Sequence, residues 1–334
     1  MDNTPSLEIH RAGSFSGDIE QYELIIACLR AEIAAFPPAL RTLVQPDLDA
    51  LTPGEFSQVA ALLPHWLSDL APVSAEVARQ LGLAQLYGWW YYWVQDDLLD
   101  GAKAPAALLG GHLALLRQVA IYTELGLAAT PCWAAFERFN LRSAAGYASE
   151  LATRFSSLSQ LTPELVAGPD VQLILDRAAP FFFSTLAQLQ LAGIPAADQR
   201  MQIIPAALRC FTAARQLNDD ASDWLDDLQS GHLNVAAALL MRYLYAHQII
   251  HSTADFDLER LVGLHIRVEQ FWVELEATTQ SLCTEALALL APLGPCRLAA
   301  LVERQMQQNQ ARWDSAREYR ANLRTLFGVE ALVA

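Results

Sequence analysis

The sequence predicts an all-α protein, folded as a single large antiparallel helical bundle. Three observations carry this. Apolar residues recur with a helical period nearly everywhere, and the alternating β-branched runs that mark strands are missing. Alanine and leucine, both strong helix formers, dominate the composition. Prolines and glycines punctuate the chain at short intervals, and connections that short make antiparallel neighbours.

Taken in order, the first predicted helix spans 18–35 and stops at Pro37–Pro38. Between there and Pro72 the prolines at 46, 53 and 64 are read as breaks, so no helix is predicted. The next helix, 74–100, starts after Pro72. Helices at 106–125, 132–158 and 170–193 each follow a proline, at 105, 131 and 169. Pro180 should kink the last of these, because it removes a backbone donor and clashes with the preceding turn. A helix at 202–228 follows Pro195, then come 234–252 and 256–290, which ends before Pro292–Pro295. The last predicted helix is 296–325. Residues 1–17, polar and aperiodic, are expected to be a flexible N-terminal segment ahead of one helical domain over 18–334.

Composition narrows the function classes. With 22 Lys and Arg against 37 Asp and Glu, the net charge is −15, which argues against a nucleic-acid partner. The five cysteines are scattered and show no CxxC spacing, as expected for free thiols in a reducing, cytoplasmic setting and not for a structural zinc site. The first residues lack the basic start and apolar run of a signal peptide. No apolar run reaches 18 residues, so stable membrane insertion is not expected.

The acid is concentrated. Asp96, Asp97, Asp100, Asp219, Asp220, Asp223, Asp226 and Asp227 lie in two short windows with apolar surroundings. Like charges that close repel unless cations balance them. Residues three or four apart share a helix face, so Asp96, Asp97 and Asp100 point one way. The same stripe runs back through Tyr92, Trp93, Trp89 and Trp90. That describes a cavity with an acidic mouth and an aromatic throat, with Tyr91 packing elsewhere. In the second window one stripe holds Asp219, Asp223 and Asp226 or Asp227, and another holds Asn218, Ser222 and Asp226. Oxygen donors without His or Cys suit Mg2+, with Mn2+ as an alternative. One acidic triplet would be ordinary solvated surface. Two, with the first closing a helix at the end where the macrodipole disfavours negative charge, point to function. Aromatics at helical spacing are usually core, but those on the acid stripe also suit cation–π stabilisation of a bound carbocation.

At these residues the chain resembles the class I isoprenoid synthase superfamily, the trans-prenyl-diphosphate synthases and class I terpene synthases. Asp96-Asp97-x-x-Asp100 is similar to their DDxxD motif. Gln216-Leu217-Asn218-Asp219-Asp220-x-x-Asp223 resembles QxxDDxxD of the prenyl synthases, and Asp227 to Asn234 resembles their DLxxGKxT with His232 at the Lys. Asn218-Asp219-x-x-Ser222-x-x-x-Asp226 is also similar to the terpene-synthase NDxxSxxxE, with Asp for the final Glu. Arg177 stands where the prenyl synthases carry the Lys of a KT pair, and Arg317-x-Tyr319 loosely resembles a terpene-synthase Arg-Tyr pair.

The resemblance implies a helical bundle around a central cavity, about three Mg2+ ions, and a prenyl diphosphate as substrate. It implies metal ligands among Asp96, Asp97, Asp100, Asn218, Asp219, Ser222, Asp223 and Asp226. Arg177 and Arg215 would meet the diphosphate. Trp89, Tyr92, Trp93, Phe182, Gln216, Arg317 and Tyr319 would bind substrate. A homodimer is one arrangement that the resemblance implies and the composition does not decide. Chain-elongating synthases carry a double Arg after the first motif and an early GK-x-x-R; here Asp100 is followed by GAKAPAALLGG and no such region precedes it. The expectation is therefore a terpene synthase that ionises one C15–C20 prenyl diphosphate, linear or already cyclised, and releases a terpene hydrocarbon or alcohol. Bulky Tyr91, Tyr92 and Trp93 before the motif are the basis for limiting the chain length. The alternative is a prenyltransferase that moves one allylic prenyl group to an acceptor other than isopentenyl diphosphate. A non-catalytic partner subunit is the third reading, and the intact acidic motifs argue against it.

Overall fold

The structure is a computed structural model and describes residues 17–252 and 257–332. Among the described residues it holds fourteen α-helices and no strand. They are α1 (Asp18–Ala34), α2 (Pro38–Leu51), α3 (Glu55–Trp66), α4 (Ala75–Leu99), α5 (Leu108–Glu124), α6 (Trp133–Leu151) and α7 (Pro163–Val166). They continue as α8 (Val171–Arg177), α9 (Phe183–Leu191), α10 (Arg200–Gln229), α11 (Val235–Ala246), α12 (Leu258–His265), α13 (Glu269–Leu290) and α14 (Arg297–Phe327). The segment expected to be flexible lies, apart from Gly17, outside the described residues.

The all-α reading holds, and three elements differ from expectation. Helices α2 and α3 fill the stretch read as proline-broken. Pro38 sits at the first turn of α2, where a missing N–H is harmless. Pro46 and Pro64 fall inside helices whose apolar faces, including Val44, Leu48, Leu62 and Leu63, are buried. Burying a Leu or Val side chain is worth about 1.5–3 kcal/mol, enough together to outweigh a lost backbone bond. Pro180 does more than kink its helix. It opens a short 3-10 turn, 179–182, that separates α8 from α9. The 256–290 helix is divided between α12 and α13, where Trp272 Nε1 donates to the His265 carbonyl at 2.9 Å; residue 256 lies outside the described residues.

Two long helices organise the molecule. Helix α4 begins at Ser74, whose hydroxyl caps the Val77 N–H, and packs between α3 and α5. Helix α10 packs along α13. Apolar residues of α1 to α5, α9 and the first half of α10 form one core, with Trp90, Tyr87 and Phe183 among its largest buried side chains. A second core gathers α11, α12, α13 and the end of α10 around Trp224 and Trp272. No helix among the described residues is long and apolar enough to cross a membrane.

Candidate active site

Helices α4 and α10 wall a cavity of about 270 Å3, closed on its other sides by α3, α5, α6, α8 and the 179–182 turn. From α4 come Gln85, Gly88, Trp89, Tyr92, Trp93 and Asp96, a single stripe of successive turns. From α10 come Thr212, Arg215, Gln216 and Asp219. Both helices bring their acidic ends to the same end of the cavity.

The aromatic wall is built around contacts that the sequence did not announce. Phe56 of α3 lies 4.2 Å from the Trp89 ring centroid and 5.4 Å from that of Phe181. The Arg215 guanidinium sits over Phe56 at 5.3 Å. Tyr92 lines the cavity with its ring, while its hydroxyl donates to Asn140 Oδ1 at 2.6 Å. Trp90, expected on this wall, is fully buried in the core and donates to Asp47 Oδ2 at 3.2 Å. Phe181, and not Phe182, faces the cavity; Phe182 is buried beside Phe139.

Each acid of the first motif has a different partner. Asp97 accepts an ion pair from Lys103 at 2.8 Å, and the same ammonium reaches Asp47 at 3.3 Å and lies over Trp93. Asp100, at the C-terminal cap of α4, pairs with Arg154. Asp96 lines the cavity facing Arg177 and the Tyr147 hydroxyl. Burial raises the Asp96 pKa above the usual carboxylate range, and the nearby Arg177 charge offsets this only in part.

Arg177 stands between the two acidic windows. Burial works against its charge, yet Asp96 above all, with Asp220 and Asp100, raises its pKa. Its guanidinium is 5.5 Å from the Tyr147 ring and pairs with Glu150, which is 2% exposed. Glu150 also holds His232 Nε2 at 3.3 Å and Arg154 at 3.5 Å. Ligand atoms of Asp100, Glu150 and His232 lie within 4.8 Å of one another. Two arginines already neutralise that group. Sequence reasoning missed Glu150 and Tyr147 because the partners that place them at the site, Arg177, His232 and Asp96, lie far away along the chain.

On α10 the face turned to the cavity runs Thr212, Gln216, Asp219 and, by helical repeat, Asp223. Arg215 bonds Gln305 at 3.0 Å and pairs with Glu55 at 3.4 Å. Gln216 donates to the buried Asp220 at 3.0 Å, and Asp220 also accepts from the Val235 N–H at 3.0 Å. Asp219 is an exposed rim residue, with a pKa raised by lost hydration against the pull of Arg215. The pKa of Asp223 is pushed up to about 6, by desolvation first and then by the charges of Asp219, Asp227, Asp220 and Asp226.

The alternative stripe is less well placed. Asn218 is 3% exposed and does not line the cavity. Ser222 spends its hydroxyl on the Asn218 carbonyl at 3.1 Å, and Asp226 is exposed. Asp227 is bonded by Asn234 at 2.7 Å and faced by His232, which together draw its pKa down despite burial. The Gly231 turn has φ +79°, and a Cβ there would lie 2.2 Å from the Phe155 carbonyl, so only glycine fits. Arg317 and Tyr319 lie outside the cavity lining. Arg317 pairs with Glu276 and Asp314, and Tyr319 is 62% exposed.

No protein-family model matches the chain, and no curated protein sequence does. Solved structures do. A Corynebacterium glutamicum protein described as a geranylgeranyl pyrophosphate synthase matches with a TM-score of 0.65 at 16% identity, over 87% of this chain and 96% of that one. A polyprenyl synthase of Roseobacter denitrificans matches at 0.60 and 16%, over 87% and 99%. A geranylgeranyl pyrophosphate synthase of C. glutamicum, complexed with isoprenyl diphosphate and magnesium, matches at 0.63 and 14%, over 89% and 98%. The chain has the isoprenoid synthase fold. At these identities the likeness is one of fold, and the chemistry must come from the side chains.

Within this isoprenoid synthase fold the acidic residues suit a hard divalent cation. Carboxylate oxygens dominate the donor set, as Mg2+ requires. Asp96 and Asp223 have pKa values raised by burial and crowded charge, a state that a bound cation would relieve.

Proposed function

We propose that the protein is a Mg2+-dependent isoprenoid synthase that ionises one allylic prenyl diphosphate and transfers its prenyl group to an acceptor other than isopentenyl diphosphate. The observation that carries this reading is that Asp96 of α4, Asp219 of α10 and Arg177 of α8 line one aromatic cavity. Asp96, Asp97, Asp100, Asp219 and Asp223 would hold the metal, which supplies the positive charge that stabilises departing pyrophosphate.

Arg177, preset by Glu150, offers a guanidinium suited to diphosphate oxygens. Arg215 lies across the same cavity. Trp89, Tyr92, Trp93, Phe56 and Phe181 enclose the hydrocarbon, keep water away and present π faces to an allylic cation. A cavity of about 270 Å3 favours the shorter end of the C15–C20 range.

Prenyl transfer takes precedence over the terpene-forming lyase on two grounds. The Gln216–Asp219–Asp220–Asp223 pattern is better placed than the Asn218–Ser222–Asp226 pattern. The similar structures are also those of proteins described as prenyl synthases. Terpene formation is the second reading; like transfer to such an acceptor it needs no second diphosphate site, and Lys103, the cation that follows the first acidic motif, is engaged by Asp97 and Asp47.

Product analysis tests both. Purified protein with Mg2+ and geranyl, farnesyl or geranylgeranyl diphosphate, each alone and with isopentenyl diphosphate, should give no chain elongation. A terpene from one diphosphate alone would establish the lyase. Turnover only with an added nucleophilic acceptor would establish transfer. A longer diphosphate formed with isopentenyl diphosphate would overturn the single-diphosphate reading.

A further inference from the structure

The part of the cavity remote from Asp96 is polar, although the proposed tail is a hydrocarbon. Gln85, Gln118 and Thr212 line it and are 3%, 3% and 5% exposed. Gln85 Oε1, Gln118 Oε1 and Thr212 Oγ1 have no hydrogen-bond partner among the described residues. Along α4, Gln85 lies eleven residues before Asp96, about 16 Å at the helical rise. Thr212 lies two turns deeper than Asp219 on α10.

One amide end is hydrogen-bonded and the other is packed against a helix. Gln85 Nε2 donates to the Phe181 carbonyl at 2.9 Å. The Gln118 amide lies against α4 at Gly88, where a Cβ would come within 2.1 Å of Nε2. Glycine in mid-helix is less stabilising than alanine, so this helix gives up stability to admit that amide. Three unpaired buried oxygens are each destabilising in a purely apolar pocket.

We propose that this end of the cavity is a hydroxyl-binding site. The two carboxamide oxygens accept, and the Thr212 hydroxyl can donate or accept, a set complementary to an O–H group and not to a terminal methyl. The inference rests on the reading of the cavity as a prenyl-chain site. Two sources supply the same chemistry: a hydroxyl on the far end of the bound hydrocarbon, or a water molecule held beside it.

The experiment uses farnesyl S-thiolodiphosphate and its terminally hydroxylated derivative as unreactive probes. Binding is measured by calorimetry with Mg2+ on the wild type, Gln118→Leu, Thr212→Val and Thr212→Ser, alongside crystal structures with and without the unsubstituted probe. If the ligand carries the hydroxyl, the hydroxylated probe binds the wild type about tenfold tighter. Gln118→Leu and Thr212→Val lose that preference, and Thr212→Ser keeps it. If water is the source, the affinities are equal and a water bonded to Gln118 Oε1 is present in the crystal and gone from Gln118→Leu. Equal affinities with a dry site overturn the proposal. If neither probe binds the wild type, the proposed function fails, and the ligand-free crystal still decides this site: a water on Gln118 Oε1 supports it and a dry pocket sinks it.

Discussion

Glu150 of α6 is paired with Arg177 at the end of α8, and only 2% of the glutamate is exposed. The pair joins two helices at the point where the cavity meets its acidic mouth. Breaking a buried pair by removing one partner leaves an uncompensated charge. Glu150→Ala should therefore destabilise the fold by about 3–5 kcal/mol, read from urea unfolding. Glu150→Gln should cost less and still weaken pyrophosphate binding, because Arg177 loses its anchor. Unchanged stability and binding in both variants would show that the pair does not organise the site.

Asp96→Ala should reduce turnover by ~100-fold or more, the scale of losing a preorganised electrostatic group, while far-UV circular dichroism stays unchanged. Asp97→Ala should do the same and also release Lys103, which now pairs with Asp97 at 2.8 Å. Wild-type rates in either variant would remove the metal assignment.

The raised pKa of Asp223, about 6 against an ordinary 3.8, gives a signed pH prediction. Its folded-state pKa lies above the unfolded one, so the folded protein binds the proton more tightly. The stability contribution is complete below about pH 3.8 and is lost as pH rises through about 6. Metal-free protein should lose melting temperature across that window, and Asp223→Asn should lose less. Mg2+ with pyrophosphate should raise the melting temperature above the window, since they bind the folded state. A flat wild-type profile together with no Mg2+ response would contradict both statements.

Gly88→Ala should not deliver the stabilisation that alanine usually brings to a helix, because its Cβ would displace the Gln118 amide. In a Gln118→Ala background the same change should gain up to about 1 kcal/mol. The double-mutant cycle measures this coupling. Additive effects would mean that the amide moves aside freely.

Much of the fold was readable along the chain because helical period is local. The α4 stripe from Trp89 to Asp96 needed only the spacing of 3.6 residues per turn, and Trp89, Tyr92, Trp93 and Asp96 do line one cavity. The proline rule failed at α2 and α3, where core burial outweighs the lost backbone bonds, and Phe56 was missed with them. Pro180 was legible as a disturbance. That it ends α8 at Arg177 and turns Phe181 inward depends on what packs around it.

A helical repeat states which side chains share a face, and that alone implied an all-α chain with two carboxylate stripes and an aromatic run beneath one of them. It leaves each helix free to rotate about its own axis and to choose its neighbours. Those choices belong to the whole core. Packing turns Asp219 to the cavity and Asn218 inward, brings Glu150 and His232 beside Arg177, and leaves Arg317 and Tyr319 outside the cavity lining. Pairings between residues tens of positions apart arise only when helices bury their apolar faces together.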